Sequence, residues 1–199
     1  MGLIMKDLMK DLKTSLAATL LLAVLVCGAY PLLVWVAGHG LFPRKADGSL
    51  VRIKGGIVGS ELLAQSFTGP GFFHPRPSAA GKGYDPAGSG ASNLGPVSKI
   101  LVERTRARVE SYRAENGLSQ ETPVPADAVS TSASGLDPHI SVENARLQAR
   151  RVARARGWAL EDVLKKVGAH TEGRTFGFIG EPRVNVLMLN LDLEGKLAP

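Results

Sequence analysis

From Thr14 to Gly38 the chain carries no charged residue, and SLAATLLLAVLVCGAYPLLVWVAG fills nearly all of that interval with Leu, Ala and Val. At a rise of ~1.5 Å per residue these positions make a helix of roughly 36 Å, enough to cross a hydrocarbon core of about 30 Å. A cleaved signal peptide would have an apolar region of only ~7–15 residues before a small-x-small site. The length therefore predicts an uncleaved transmembrane helix at residues 14–38. Val26 is too large to precede a lipid-modified cysteine, so Cys27 reads as an ordinary apolar residue of the span. Pro31 lies inside the span, where its missing N–H and its ring free a carbonyl near Cys27 and favour a kink.

Lys6, Lys10 and Lys13 before the span nearly balance Arg44, Lys45, Arg52 and Lys54 after it. A short basic segment directly ahead of the first apolar run behaves as a signal-anchor n-region. Residues 1–13 are therefore expected to be a cytoplasmic tail and 39–199 an extracytoplasmic domain, with Trp35 at the outer interface. A hydrophobic fraction of 44% against 21% charged residues excludes disorder throughout. The single cysteine excludes an internal disulfide and a cysteine-based zinc cluster.

In the soluble part, alternating Leu50, Val51, Ile53, Ile57 and Val58 around Gly55 and Gly56 predict a short strand pair. Ser60 is then placed to cap a helical turn beginning at Glu61. Residues 69–98, GPGFFHPRPSAAGKGYDPAGSGASNLGPVS, hold seven Gly and five Pro, so neither a helix nor a central strand persists there. Phe67, Phe72, Phe73 and Tyr84 give this long loop apolar anchors, which predicts order. KILVERTRARVESYRAENG reads as an amphipathic helix ending at Gly117, and SVENARLQARRVARARG as a helix capped by Ser141 and closed by Gly157. A short helix is expected around Leu160–Val167. VNVLMLNLDL alternates two apolar sets and reads as a central strand covered on both sides. Strands at both ends with helices between give one small α+β domain.

No motif for catalysis or metal binding emerges. His39, His74, His139 and His170 are scattered without metal-ligand spacing. Ser134, Asp137 and His139 coexist in SASGLDPHIS, so a membrane-anchored extracytoplasmic hydrolase is an alternative function, although no nucleophile elbow is present. The plainer reading is an Asx bend at Asp137 before Pro138, with Ser132 and Ser134 bonded to local backbone. Five arginines between Arg146 and Arg156 could attract phosphates, but a solvated helix face accounts for them, and no nucleic-acid partner is expected. Gln65 and Gln148 have no role assignable from spacing.

Five segments together carry a family resemblance: GSELLAQSF (59–67), FFHPRPSAAGKGYDPAGSGASNLGP (72–96), VPADAVSTSASGLDPHIS (124–141), QARRVARARG (148–157) and HTEGRTFGFIGEPRVNVLMLNLDL (170–193). With the N-terminal span they make the chain resemble KdpC, the small single-span subunit of the Kdp potassium-transporting P-type ATPase; Ala126 and Ala128 are smaller than that pattern leads one to expect. The resemblance implies a non-catalytic accessory subunit of the bacterial inner membrane. Its implied partners are a channel-like potassium-translocating subunit, an ATP-hydrolysing pump subunit and a small membrane peptide. The Asp-Lys-Thr phosphorylation motif of P-type ATPases is missing here, so ATP and potassium would be handled by partner subunits and no cofactor bound directly. A catalytic-chaperone role that raises the pump's ATP affinity is also implied, with Gln148 or Gln65 as the glutamine suggested to touch nucleotide. Phe72, Phe73, Arg76, Asn93, Asp137 and His139 are the expected interaction surface.

Overall fold

The apolar run forms one helix from Met5 to Leu41, 37 residues with none of its side chains buried by protein. In this computed structural model it consists of α1 (Gly2–Leu22), a π-helical turn (Ala23–Ala29) and α2 (Tyr30–Leu41). The structure describes residues 2–196, with side chains from Met5; the expected boundaries at residues 1 and 199 lie outside the described residues. At ~1.5 Å per residue the helix measures about 55 Å, so its ends reach beyond a hydrocarbon core of about 30 Å. Lys6, Lys10 and Lys13 lie on α1. The expected disturbance at Pro31 takes the form of the π turn: Tyr30 N–H bonds to Leu25 O, five residues back, which widens the helix just where the proline ring needs room. Near the end of the span the Trp35 and His39 rings lie 4.6 Å apart, and α3 (Pro43–Ala46) follows.

The chain divides into two units, Met1–Ser49 and Leu50–Pro199. The second is α+β. It opens with an antiparallel hairpin of β1 (Leu50–Ile53) and β2 (Gly56–Ser60). Lys54 (φ 49°) and Gly55 (φ 83°) supply the two positive φ angles of a tight right-twisted turn. Ser60 Oγ accepts the Leu62 N–H (3.1 Å) and the expected turn closes with the Leu63 N–H on Ser60 O (3.3 Å), but no helix follows. Instead Ala64 N–H leaves to meet Leu136 O (2.9 Å).

After the loop at 69–98 come α4 (Lys99–Asn116), a single turn α5 (Ala126–Val129), β3 (His139–Ser141), α6 (Val142–Arg156) and α7 (Leu160–Ala169). Ser98 and Ser141 side chains cap α4 and α6, and Gly117 and Gly157 close them in the left-handed conformation. β4 (Thr171–Glu172) and β5 (Arg183–Asn185) complete a three-stranded antiparallel sheet of order β3-β5-β4.

The expected central strand at the C-terminal end is corrected. Only Arg183–Asn185 is extended, and Val186–Leu193 is a helix, α8. Asn185 starts it by accepting the Met188 N–H on its side chain (3.2 Å). Apolar runs buried all round carry no period that separates strand from helix. Val186, Leu189 and Leu193 point into the main core with Phe73, Ile140, Val152, Val163 and Val184, while Leu187 and Leu191 join Val51 beneath the β1–β2 hairpin.

Candidate functional site

The loop at 69–98 has neither helix nor strand, yet three side chains grip its first turn. Asn190 of α8 accepts the Phe73 N–H (2.8 Å) and donates to Phe73 O (2.9 Å). Gln148 of α6 does the same one residue on, accepting from His74 N–H (2.7 Å) and donating to His74 O (3.1 Å). Two primary amides thus replace the strand neighbours this segment lacks, so its buried peptide groups are satisfied without a sheet. Arg151 Nη1 donates to Pro70 O (2.7 Å) and Phe72 O (2.9 Å), Nη2 to Gln148 Oε1 (2.9 Å), and Nε to Asn116 Oδ1 (3.0 Å).

Behind this clamp, Gln148 Nε2 also donates to Asn144 Oδ1 (2.8 Å), which accepts from the Tyr112 hydroxyl at the same distance. Asp127 collects the Asn144 amide, the Ser141 hydroxyl and the Ser141 N–H, each at 2.8 Å. Burial, and then the Asp127 charge, push the Tyr112 pKa up, so this hydroxyl stays a donor. His74 Nδ1 lies 2.6 Å from Glu115 Oε1, and its Nε2 lies 3.0 Å from Gly69 O. Burial lowers the His74 pKa, and the Arg151 charge adds to that against the pull of these two acceptors. A cleft of about 270 Å³ opens beside the network, lined among others by Phe67, His74, Tyr84, Arg108, Tyr112 and Gln148.

Farther along, the loop closes on the turn at 132–140. Arg76 Nη1 donates to Asp137 Oδ2 (2.9 Å), Ser78 Oγ to Gly135 O (2.6 Å), and Tyr84 Oη to Arg76 O (2.9 Å). Gly135 has φ 68°, and a Cβ there would stand 2.7 Å from Ala80 N, so only glycine fits. Asp137 Oδ1 accepts the His139 N–H (3.0 Å), the expected Asx bend, and lies 3.4 Å from His139 Nδ1. Burial opposes its ionisation, but the His139 ring and N–H and the Arg76 guanidinium outweigh it and hold the carboxyl at about 2. Ser134 Oγ accepts the Leu136 N–H (3.1 Å) and meets Ser132 Oγ (3.4 Å); no hydrogen bond joins it to His139 among the described residues. The three members of the alternative hydrolase are not brought together as a nucleophile, base and orienting acid.

The remaining sequence candidates scatter. Phe73 is fully buried, so it holds the loop and cannot itself be a surface. Phe72 lies half-buried between the Phe67 ring (5.7 Å) and the Arg156 guanidinium (5.1 Å). Asn93 is exposed with φ 51°. Gln65 donates to Val58 O (3.1 Å) and folds over Gly59, where any Cβ would strike its amide. The arginine run is not simply a solvated face: Arg151 is buried, and Arg156 donates to Gly71 O (2.6 Å) and Leu193 O (3.0 Å). Sequence reasoning missed Asn190, Asn144 and Asp127; a lone Asn inside VLMLNLDL was the available signal for the first.

A family model described as K+-transporting ATPase, c chain, matches residues 12–195, taking in most of the described span and the whole clamp. The chain belongs to the KdpC family. Relatives described as potassium-transporting ATPase KdpC subunits include one from Myxococcus xanthus, 56% identical over 187 residues, covering 94% of this chain and 88% of the relative. The subunit of Nitratidesulfovibrio vulgaris is 53% identical over 183 residues, 92% of each chain. That of Mycobacterium tuberculosis is 46% identical over 185 residues, 93% of this chain and 98% of the relative. KdpC is thus the family in which the Gln148 and Asn190 clamp is to be understood.

Proposed function

We propose that this chain is the accessory, non-catalytic subunit of an ATP-driven potassium uptake complex in the bacterial inner membrane. The KdpC match across span and domain carries this reading. Its partners are a channel-like potassium-translocating subunit, an ATP-hydrolysing P-type pump subunit that bears the phosphorylated aspartate, and a small membrane peptide. The N-terminus is cytoplasmic and the α+β domain extracytoplasmic. ATP and potassium are handled by the partners.

A catalytic-chaperone effect on ATP affinity then acts at a distance, by favouring one conformation of the assembled pump; a differential affinity of ~1–3 kcal/mol is enough. The state of Gln148 supports this. Its amide is buried, with both its oxygen and its nitrogen engaged inside the domain, leaving it poorly placed to read a nucleotide.

Ala107, exposed on α4, is a suitable reporter position, with Cys27 replaced by Ser. In intact cells Ala107→Cys is expected to react with a membrane-impermeant maleimide. Labelling only after permeabilisation overturns the orientation and revives direct nucleotide contact. Failure of the chain to co-purify with the large membrane subunits in mild detergent overturns the subunit reading itself.

A further inference from the structure

Between α6, α7 and the segment that follows Gly117 lies an open cavity of about 600 Å³. Its floor is apolar. Val142, Leu160 and Leu164 are half-buried against the main core, Val167 belongs to that core, and Leu118 and Leu147 complete the lining. A concave site of this size, mostly apolar with a few polar groups at fixed places, has the character of a small-molecule site.

The polar groups come chiefly from α6. Arg146 and Arg150 stand one turn apart on the same helix face and both line the cavity. Neither guanidinium has a hydrogen-bond or ion-pair partner among the described residues, whereas Arg151 and Arg156 of the same helix are bonded to loop carbonyls. Glu143 is the one carboxylate in the lining, so two guanidiniums face it and the site carries a net charge of +1. Gly168 of α7 is an independent observation. It lies inside the helix without a positive φ, where glycine weakens a helix relative to alanine, and a Cβ there would meet nothing within 4 Å. Neither the backbone nor packing within the chain requires glycine at this position; its effect is to keep the wall of the cavity recessed.

We infer that this cavity binds a single-chain carboxylate amphiphile, the chemical class of a free fatty acid. The carboxylate lies between Arg146 and Arg150, which hold it by charge-assisted hydrogen bonds, and the chain runs over Leu147, Leu160, Leu164 and Val167. A head of one negative charge matches the net +1 of the lining. The face of a helix, with anchors spread over two turns and a width of about 10–12 Å, is more than this volume encloses.

The test uses the full-length chain in phosphatidylcholine nanodiscs, with a dodecanoate that carries a diazirine on its chain as the probe. Illumination is expected to give adducts on α6 and α7, mapped by mass spectrometry, and the methyl ester of the same probe is expected to give about tenfold fewer or less. Arg146→Gln/Arg150→Gln should lower site labelling by a similar factor. Gly168→Leu, which keeps every charge and fills the cavity, should abolish it. Both variants should retain the wild-type thermal midpoint, because the two arginines are exposed and the new side chain enters open space. Equal labelling by the methyl ester, undiminished labelling of either variant, or adducts confined to the membrane span would each overturn the inference. Equal site labelling by a diazirine-bearing phosphatidylcholine would make the occupant a bilayer lipid and also overturn it. So would an unlabelled wild-type site together with an arginine variant that loses its place in the transport complex or in a self-dimer, since the cavity would then receive a polypeptide.

Discussion

Gln148 and Asn190 each hold the N–H and C=O of a single loop residue, a division of labour that explains why these two amides are buried beside the apolar core. The family resemblance offers Gln148 or Gln65 for nucleotide, whereas the geometry gives Gln148 a structural duty sufficient to explain its presence. Gln148→Ala strips partners from His74, Asn144 and Arg151 at once. It is expected to destabilise the domain by about 2 kcal/mol or more, a fall of roughly 4–8 °C in thermal midpoint. An ATP-affinity change without any such fall would speak for a ligand role. Asp137 makes a pH prediction. Its folded pKa, about 2, lies below the ordinary 3.8, so the unfolded chain takes up the proton first. Its stabilisation is complete above about pH 4 and is lost as pH falls toward 2. Denaturant titrations should show wild type losing more stability over that window than Asp137→Asn, and equal losses would refute the Arg76–Asp137–His139 account.

Elements whose ends are marked by local chemistry were legible in the sequence: α4 at its closing glycine, α6 between its serine cap and closing glycine, and the β1–β2 hairpin at its glycine pair. α8 was not, because its alternation reflects two clusters on two sides of a helix, which period two imitates over eight residues. The loop's apolar anchors were legible, Phe73 being fully buried, but its polar partners lie far along the chain: Phe73 and Asn190 are 117 residues apart, and no local pattern encodes such a pair. The two readings of α8 make opposite predictions for Asn190→Leu. In a central strand the change would improve the apolar pattern. In the helix it removes both bonds to Phe73 and leaves its peptide groups buried and unpaired, which costs about 2–4 kcal/mol. Urea unfolding of the purified variant measures the sign directly, and a neutral or stabilising result would reject the clamp.

The molecule as a whole joins a membrane helix to a domain whose stability has its own source. Both core clusters draw every member from Val51 onward, and the two units meet in sequence at Ser49 and Leu50. A chain beginning at Leu50 is therefore expected to fold as a soluble protein with a thermal midpoint within a few degrees of the full-length value, measurable by circular dichroism. Its assembly should behave differently. The span confines the domain to the membrane that holds its partners and raises their effective concentration, and tethering of this kind multiplies avidity by ~10²–10⁴ without adding any contact. Co-expression of the Leu50 chain with the other subunits should accordingly give a folded domain that is largely lost from the purified complex and fails to support potassium uptake. Full retention would mean that the soluble interfaces are sufficient on their own. An unfolded product would mean that the first unit supplies stability that neither core cluster reveals.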